Sequence, residues 1–102
     1  MALAPKAGSL MQAVWNGAVV AESDETIVVE GNHYFPASAL KMQFFQPSNT
    51  TTTCHAKGQA SYYHIEVEGK KNTDAAWYYA TPKESAKRIA GYVAFWKGVK
   101  VS

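Results

Sequence analysis

Residues 58–79 read Gly-Gln-Ala-Ser-Tyr-Tyr-His-Ile-Glu-Val-Glu-Gly-Lys-Lys-Asn-Thr-Asp-Ala-Ala-Trp-Tyr-Tyr, and this stretch decides the fold class. From Gln59 to Glu68 the residues alternate as a strand requires, with Ser61, Tyr63, Ile65 and Val67 on one face and Ala60, Tyr62, His64 and Glu66 on the other. Glu68-Gly69-Lys70-Lys71-Asn72 supplies a hairpin turn, and Ala75-Ala76-Trp77-Tyr78-Tyr79 the return strand.

The same grammar extends upstream. Ala13-Val14-Trp15 and Ala18-Val19-Val20-Ala21 flank Asn16-Gly17, a pair that accepts the positive φ angles of a tight hairpin turn. Glu22-Ser23-Asp24-Glu25 reads as a charged turn, and Thr26–Glu30, rich in β-branched residues, as a strand. Gly31-Asn32 interrupts that strand, His33-Tyr34-Phe35 resumes it, and Pro36 ends it, since proline offers no N–H to a ladder. Ala37–Met42 fits one helical turn, Phe44-Phe45 a piece of core, and Gln46-Pro47-Ser48-Asn49 a loop. The threonines at 50–53 favour a strand over a helix.

Downstream, Thr81-Pro82-Lys83-Glu84 has the form of a capping box with proline at the first helical position, and Gly91 stops the element. This predicts a short helix near residues 82–90, followed by a closing strand at Tyr92–Trp96 that Val99 and Val101 extend. The expectation is a mainly β chain, a compact antiparallel two-sheet domain of roughly six to eight short strands with one short helix. Residues 1–10 read as a flexible arm and residues 11–102 as a single domain.

Composition narrows the function. The chain has 102 residues, 47% of them hydrophobic, a globular balance with a modest core. The net charge of +2 is spread along the chain, with no basic run longer than Lys70-Lys71 or Lys87-Arg88, so no nucleic-acid partner is expected. A single cysteine excludes an intramolecular disulfide and a multi-cysteine zinc site. The three histidines show no metal-ligand spacing, so neither a metal nor a cofactor is expected. No apolar run reaches the length of a membrane span, and Met1–Lys6 lacks the pattern of a secretory leader. A reducing cytoplasm is the expected location.

Aromatics make up 13% of the chain, which calls for a large core or an aromatic-lined cleft. Cys54 precedes Lys57 by three residues, and a bend ending at Gly58 would bring that cation back towards the thiol, making Cys54 a candidate nucleophile. Lys57-Gly58 inverts the order a phosphate loop requires, so Lys57 would act as a point charge for an anion. Glu30, at a strand end beside glycine, is a candidate base or hydrogen-bond acceptor.

Six segments in order then carry a resemblance: Trp15-Asn16-Gly17, Val28–Pro36, Thr53-Cys54-His55-Ala56-Lys57-Gly58, Ala60-Ser61-Tyr62-Tyr63, Ala75–Tyr79 and Ile89–Phe95. Together they resemble the bacterial domain-of-unknown-function 427 family over nearly the whole chain, from about Val14 to Trp96. The resemblance implies a compact antiparallel fold similar to the two-sheet β-tents. An aromatic residue is common in the family where Ala56 stands, so stacking at that position is lost here. The nucleotidyltransferase label attached to the family implies a phosphate and metal apparatus, yet no Gly-Ser followed by a spaced Asp-x-Asp is present.

The reading that results is a cytoplasmic β domain binding a small, anionic or nucleotide-like ligand. Its cleft would be lined by Trp15, Glu30, Tyr34, Cys54, Lys57, Tyr63 and Trp77. Two alternatives stand beside it: an enzyme, through nucleotidyl transfer or Cys54 chemistry, and a protein-interaction module, self-association into a homo-oligomer included.

Overall fold

One four-stranded antiparallel sheet organises the molecule, and both of its faces are covered. The computed structural model describes residues 10–102. The expected arm at residues 1–10 therefore lies outside the described residues except for Leu10, which is exposed. The strands are β1 (Met11–Trp15), β2 (Ala18–Ser23), β3 (Ile27–Val29), β4 (Asn32–Tyr34), β5 (Phe45–Cys54), β6 (Gly58–Val67), β7 (Lys70–Tyr78), β8 (Val93–Phe95) and β9 (Lys100–Val101). They form three antiparallel sheets, in the orders β2-β1-β9, β3-β4 and β5-β6-β7-β8. The mainly β, antiparallel expectation holds, with a third small sheet where two were expected.

That third sheet corrects the reading of Thr26–Phe35. Glu30 and Gly31 both have positive φ, 55° and 81°, so the chain reverses there and β4 pairs back on β3 with Val29 opposite Asn32. The segment is a hairpin, not one interrupted strand. The turns at Asn16-Gly17 and Glu68-Gly69 have the same left-handed pair of angles, which matches the twist of the strands they join.

The alternation along β6 sorts the core in two. Phe45, Ile65, Val67, Ala76, Val93 and Phe95 face β1 and β2, where Ala13, Val20 and Ala21 complete the first core. Ala60 and Ala94 face the opposite way and join Tyr34, Tyr79, Ala86 and Ile89 in a second. The β3–β4 hairpin and the segment after β7 cover this second face. Phe35 stitches the cover to the sheet by exchanging backbone hydrogen bonds of 2.8 Å with Val93.

No α-helix forms near residues 82–90. Glu84–Ile89 is 3₁₀, its N-cap is Lys83 without a side-chain cap bond, and Ala86 leaves helical geometry at φ −122°. The Thr81 capping box is overridden because tertiary hydrogen bonds hold both ends: Lys83 N–H donates to the Lys57 carbonyl at 2.8 Å, and Gly91 N–H to that of Tyr79 at 2.9 Å. So short a segment cannot offset helix nucleation by itself. Two further 3₁₀ turns, Ala37–Ala39 and Met42–Phe44, lead into β5.

Strand β5 also runs through the stretch read as a loop. Ser48–Thr50 face Tyr62 alone, and on the other side of β6 Thr73–Ala75 face His64 alone. These two bulges lie side by side and are sewn together through Asp74, whose carboxylate accepts from Ser48 Oγ at 2.5 Å and whose N–H donates to His64 Nδ1 at 3.0 Å. No helix among the described residues is long and apolar enough to cross a membrane.

Candidate functional site

The site grows out of the bend between β5 and β6. After Cys54 the chain turns through His55 and Ala56, closed by a hydrogen bond of 3.2 Å from Lys57 N–H to the Cys54 carbonyl. Gly58 leaves the turn at φ +113°, in a region L side chains rarely adopt, and passes close to the backbone of Thr81–Lys83. Lys83 Nζ and Ser85 Oγ donate to the His55 and Ala56 carbonyls, at 2.7 Å and 3.2 Å. The turn is thus held from both sides.

Backbone N–H groups of Lys57 and Ala56 beside the half-buried sulfur hold the Cys54 thiol below its ordinary pKa. Burial opposes them, while the Lys57 charge and the Tyr79 hydroxyl add in the same direction. Tyr79 is pushed well above the usual phenol range, first by burial, so it stays a hydrogen-bond donor.

Lys57 is the one charged side chain among the buried described residues, at 8% exposure. Its ammonium reaches Glu30 Oε1 at 2.7 Å, whereas the Glu30 side chain is 67% exposed at its hairpin tip. That hydrogen bond raises the Lys57 pKa against the cost of burial, so the ammonium stays charged.

Around this pair opens a cleft of about 210 Å³ lined by Glu30, Asn32, Tyr34, Cys54, Lys57, Tyr62, Trp77, Tyr79 and Trp96. Tyr34 and Trp77 meet edge to face with centroids 6.2 Å apart, and Trp77 Nε1 donates to the Tyr34 hydroxyl at 3.3 Å. Trp77 meets Trp96 at 5.9 Å, again edge to face. Trp96 is held by its indole N–H on the Asp74 carbonyl at 2.6 Å and by the Lys97 ammonium 5.1 Å from its ring. The walls are therefore fixed by their own polar tips.

Of the residues expected to line a cleft, Glu30, Tyr34, Cys54, Lys57 and Trp77 converge here. Trp15 and Tyr63 do not: both pack against the first core, on the far face of the sheet. Tyr63 stacks on Tyr78 at 5.0 Å and meets Phe45 edge to face at 5.5 Å. Tyr62, Tyr79, Trp96 and Asn32 take part instead. The signal for Tyr62 was the alternation itself, which puts it opposite in face to Tyr63; the bulged register then sets it directly across from Trp77.

The other polar side chains noted in the sequence lie elsewhere. His33 Nδ1 pairs with Thr26 Oγ1 at 2.9 Å, and Glu22 accepts from Gln12 at 2.9 Å. His64 belongs to the bulge pair. Among the described residues, no three His, Cys, Asp or Glu side chains gather into a metal-binding group.

Fold and site together define a small antiparallel β protein whose largest sheet has a core on one face and a thiol–ammonium–aromatic cleft on the other. Residues 4–102 match the family model of a domain of unknown function, DUF427, labelled NTP_transf_9, and the chain belongs to that family. No curated protein matches the chain.

Proposed function

We propose that the cleft binds a small ligand made of one flat ring and an anionic group. The observation that carries this reading is the convergence of Tyr34, Tyr62, Trp77, Tyr79 and Trp96 on a buried ammonium in one cleft of about 210 Å³. A dry cavity of about 150 Å³ accepts a benzene ring, so the cleft has room for one ring with a short substituent. Trp77 and Trp96 offer ring faces and edges, and Lys57 supplies the charge. The lone reduced thiol fits a cytoplasmic setting.

The test is thermal unfolding with single-ring probes such as benzoate, phenyl phosphate and adenine. A probe at about 100 times its Kd adds about 2.7 kcal/mol, and each kcal/mol moves the midpoint of a domain this size by about 4–8 °C. Shifts of that size in the natural protein, lost in Trp77→Ala and reduced in Lys57→Met, are the expected result. Equal shifts in all three proteins would sink the proposal.

A second reading rests on the thiol. Cys54 faces the same cleft with its pKa lowered, the state in which a thiol attacks an electrophile. On this reading the ring pocket positions a substrate and Cys54 is the catalytic residue. Nucleotidyl transfer has less support, because that chemistry needs carboxylates converging on a metal and Glu30 is the carboxylate that lines the cleft.

A further inference from the structure

A second depression, of about 240 Å³, lies on the other side of the Glu30–Lys57 pair. Val29, Ala56, Ala86 and Ile89 form part of its lining, with Ser85 and Arg88 contributing polar groups. Glu30 and Lys57 line both depressions, so the ion pair is the partition between them. The charges facing the second depression are two cations, Lys57 and Arg88, and one carboxylate, Glu30. With Glu30 turned away, the space holds two positive groups and no negative one.

Glu30 is placed to turn away. It is the first residue of a two-residue hairpin turn, at φ 55°, a position that asparagine, aspartate and glycine fill at lower cost. Its side chain is two-thirds exposed, so one hydrogen bond to Lys57 holds a carboxylate that water would otherwise solvate freely. Lys57 cannot follow it out, being 8% exposed and fixed in the bend. A buried ammonium without an anion is costly, so the departure of Glu30 requires another anion to arrive.

We propose that the second depression is an oxyanion subsite, and that Glu30 occupies the Lys57 ammonium until a ligand carboxylate or phosphate displaces it and is held between Lys57 and Arg88. This rests on the reading of the first cleft as a ring site. It extends that reading to a ligand whose ring and anion straddle the present position of Glu30. The substrate class is a one-ring carboxylate or a one-ring phosphate monoester. Arg88 joins the recognition set, although Arg88 itself is exposed and takes no part in the core.

The experiment is a titration, at fixed ionic strength, of benzoate, phenyl phosphate and uncharged benzyl alcohol, followed by tryptophan fluorescence. The proteins are the natural one, Arg88→Gln and Glu30→Gln. Both anions should bind about tenfold tighter than benzyl alcohol, the scale of one hydrogen bond to a charged group. Arg88→Gln should erase most of that advantage and leave benzyl alcohol unchanged, and its exposed position keeps folding out of the result. Glu30→Gln should tighten both anions several-fold by removing the internal competitor. Tighter phenyl phosphate than benzoate assigns the phosphate ester, and the reverse order the carboxylate. Benzyl alcohol binding as tightly as the anions, or anion binding indifferent to Arg88→Gln, overturns the subsite and leaves the ring cleft standing. No binding by any ring compound overturns both.

Discussion

Cys54 owes its chemistry to two residues that follow it in the chain. The backbone N–H groups of Lys57 and Ala56 are the first sources of its lowered pKa and one of the Ala56–Lys57 pair adds a side-chain charge. A sulfur stabilised by backbone donors keeps that stabilisation when side chains change. Alkylation by iodoacetamide should therefore rise with pH through an apparent pKa below the ordinary thiol value of about 8.5, and Lys57→Met should move that profile only part of the way back. A rate that follows the ordinary thiol profile, or a thiol inert in the native protein, would remove the nucleophile reading. The motif was legible as residues, since Cys54, Lys57 and Gly58 are spaced for a bend. What the sequence could not carry is the contribution of Lys83 and Ser85, which grip the bend from about 28 residues away in the chain.

At the level of elements, what could be read was set by how local the cause is. Asn16-Gly17 and Glu68-Gly69 turn where they should because two residues determine each turn. The capping signature at Thr81 is equally local, yet it lost to hydrogen bonds that Lys83 and Gly91 donate to the carbonyls of Lys57 and Tyr79, which are partners only in the folded chain. The paired bulges are the other illegible feature. They displace strand partners by two residues, so a regular ladder from the Val67–Lys70 pair would put Tyr62 opposite Ala75, whereas it faces Trp77. A shift of two preserves the face of each side chain, which is why the alternation still sorted Tyr62 from Tyr63 correctly. The misplacement of Trp15 and Tyr63 in the expected cleft came from treating aromatic type as more informative than face.

The bulges stand on Asp74, and that makes a pH test available. Its pKa is lowered first by the Ser48 hydroxyl, with Thr50, His64 and Lys97 adding to the effect against burial. A depressed carboxylate stabilises the fold above its unfolded pKa of about 3.9, and the contribution disappears as pH falls through the lower folded value. Ser48→Ala should cost about 1.5 kcal/mol at neutral pH, the scale of a hydrogen bond to a charged group. The cost should shrink in acid as Asp74 protonates in both proteins. Urea unfolding at pH 7 and about pH 2.5 gives the comparison, and a cost that does not change with pH would mean that Ser48 acts through packing alone.

For the whole molecule, the decisive fact is that one sheet serves two cores. Tyr34 and Phe35 are neighbours in the chain but belong to different clusters, and so do Trp77 and Ala76. The cleft therefore depends on the first core: Cys54, Tyr62 and Trp77 stand on the reverse side of the strands that hold it, and the β3–β4 cover supplies Glu30, Asn32 and Tyr34. Phe35 is fully buried, contacts Phe95 edge to face at 5.4 Å, and bonds through its backbone to Val93. Phe35→Ala should cost about 3–5 kcal/mol, a large part of the 5–15 kcal/mol typical of a small fold, and should lower the stability of the cleft on the other face by the same amount. The tryptophans make the coupling measurable. Trp15 packs against the first core, whereas Trp77 and Trp96 line the cleft. In Trp15→Phe the remaining fluorescence reports the cleft face, and far-ultraviolet circular dichroism reports the sheet. If the faces are inseparable, the two urea transitions coincide, and Phe35→Ala shifts both midpoints together. A cleft signal lost at lower urea than the sheet signal would show that the β3–β4 cover opens independently. Ligand binding would then have to be analysed against a cover that is only partly closed before the ligand arrives.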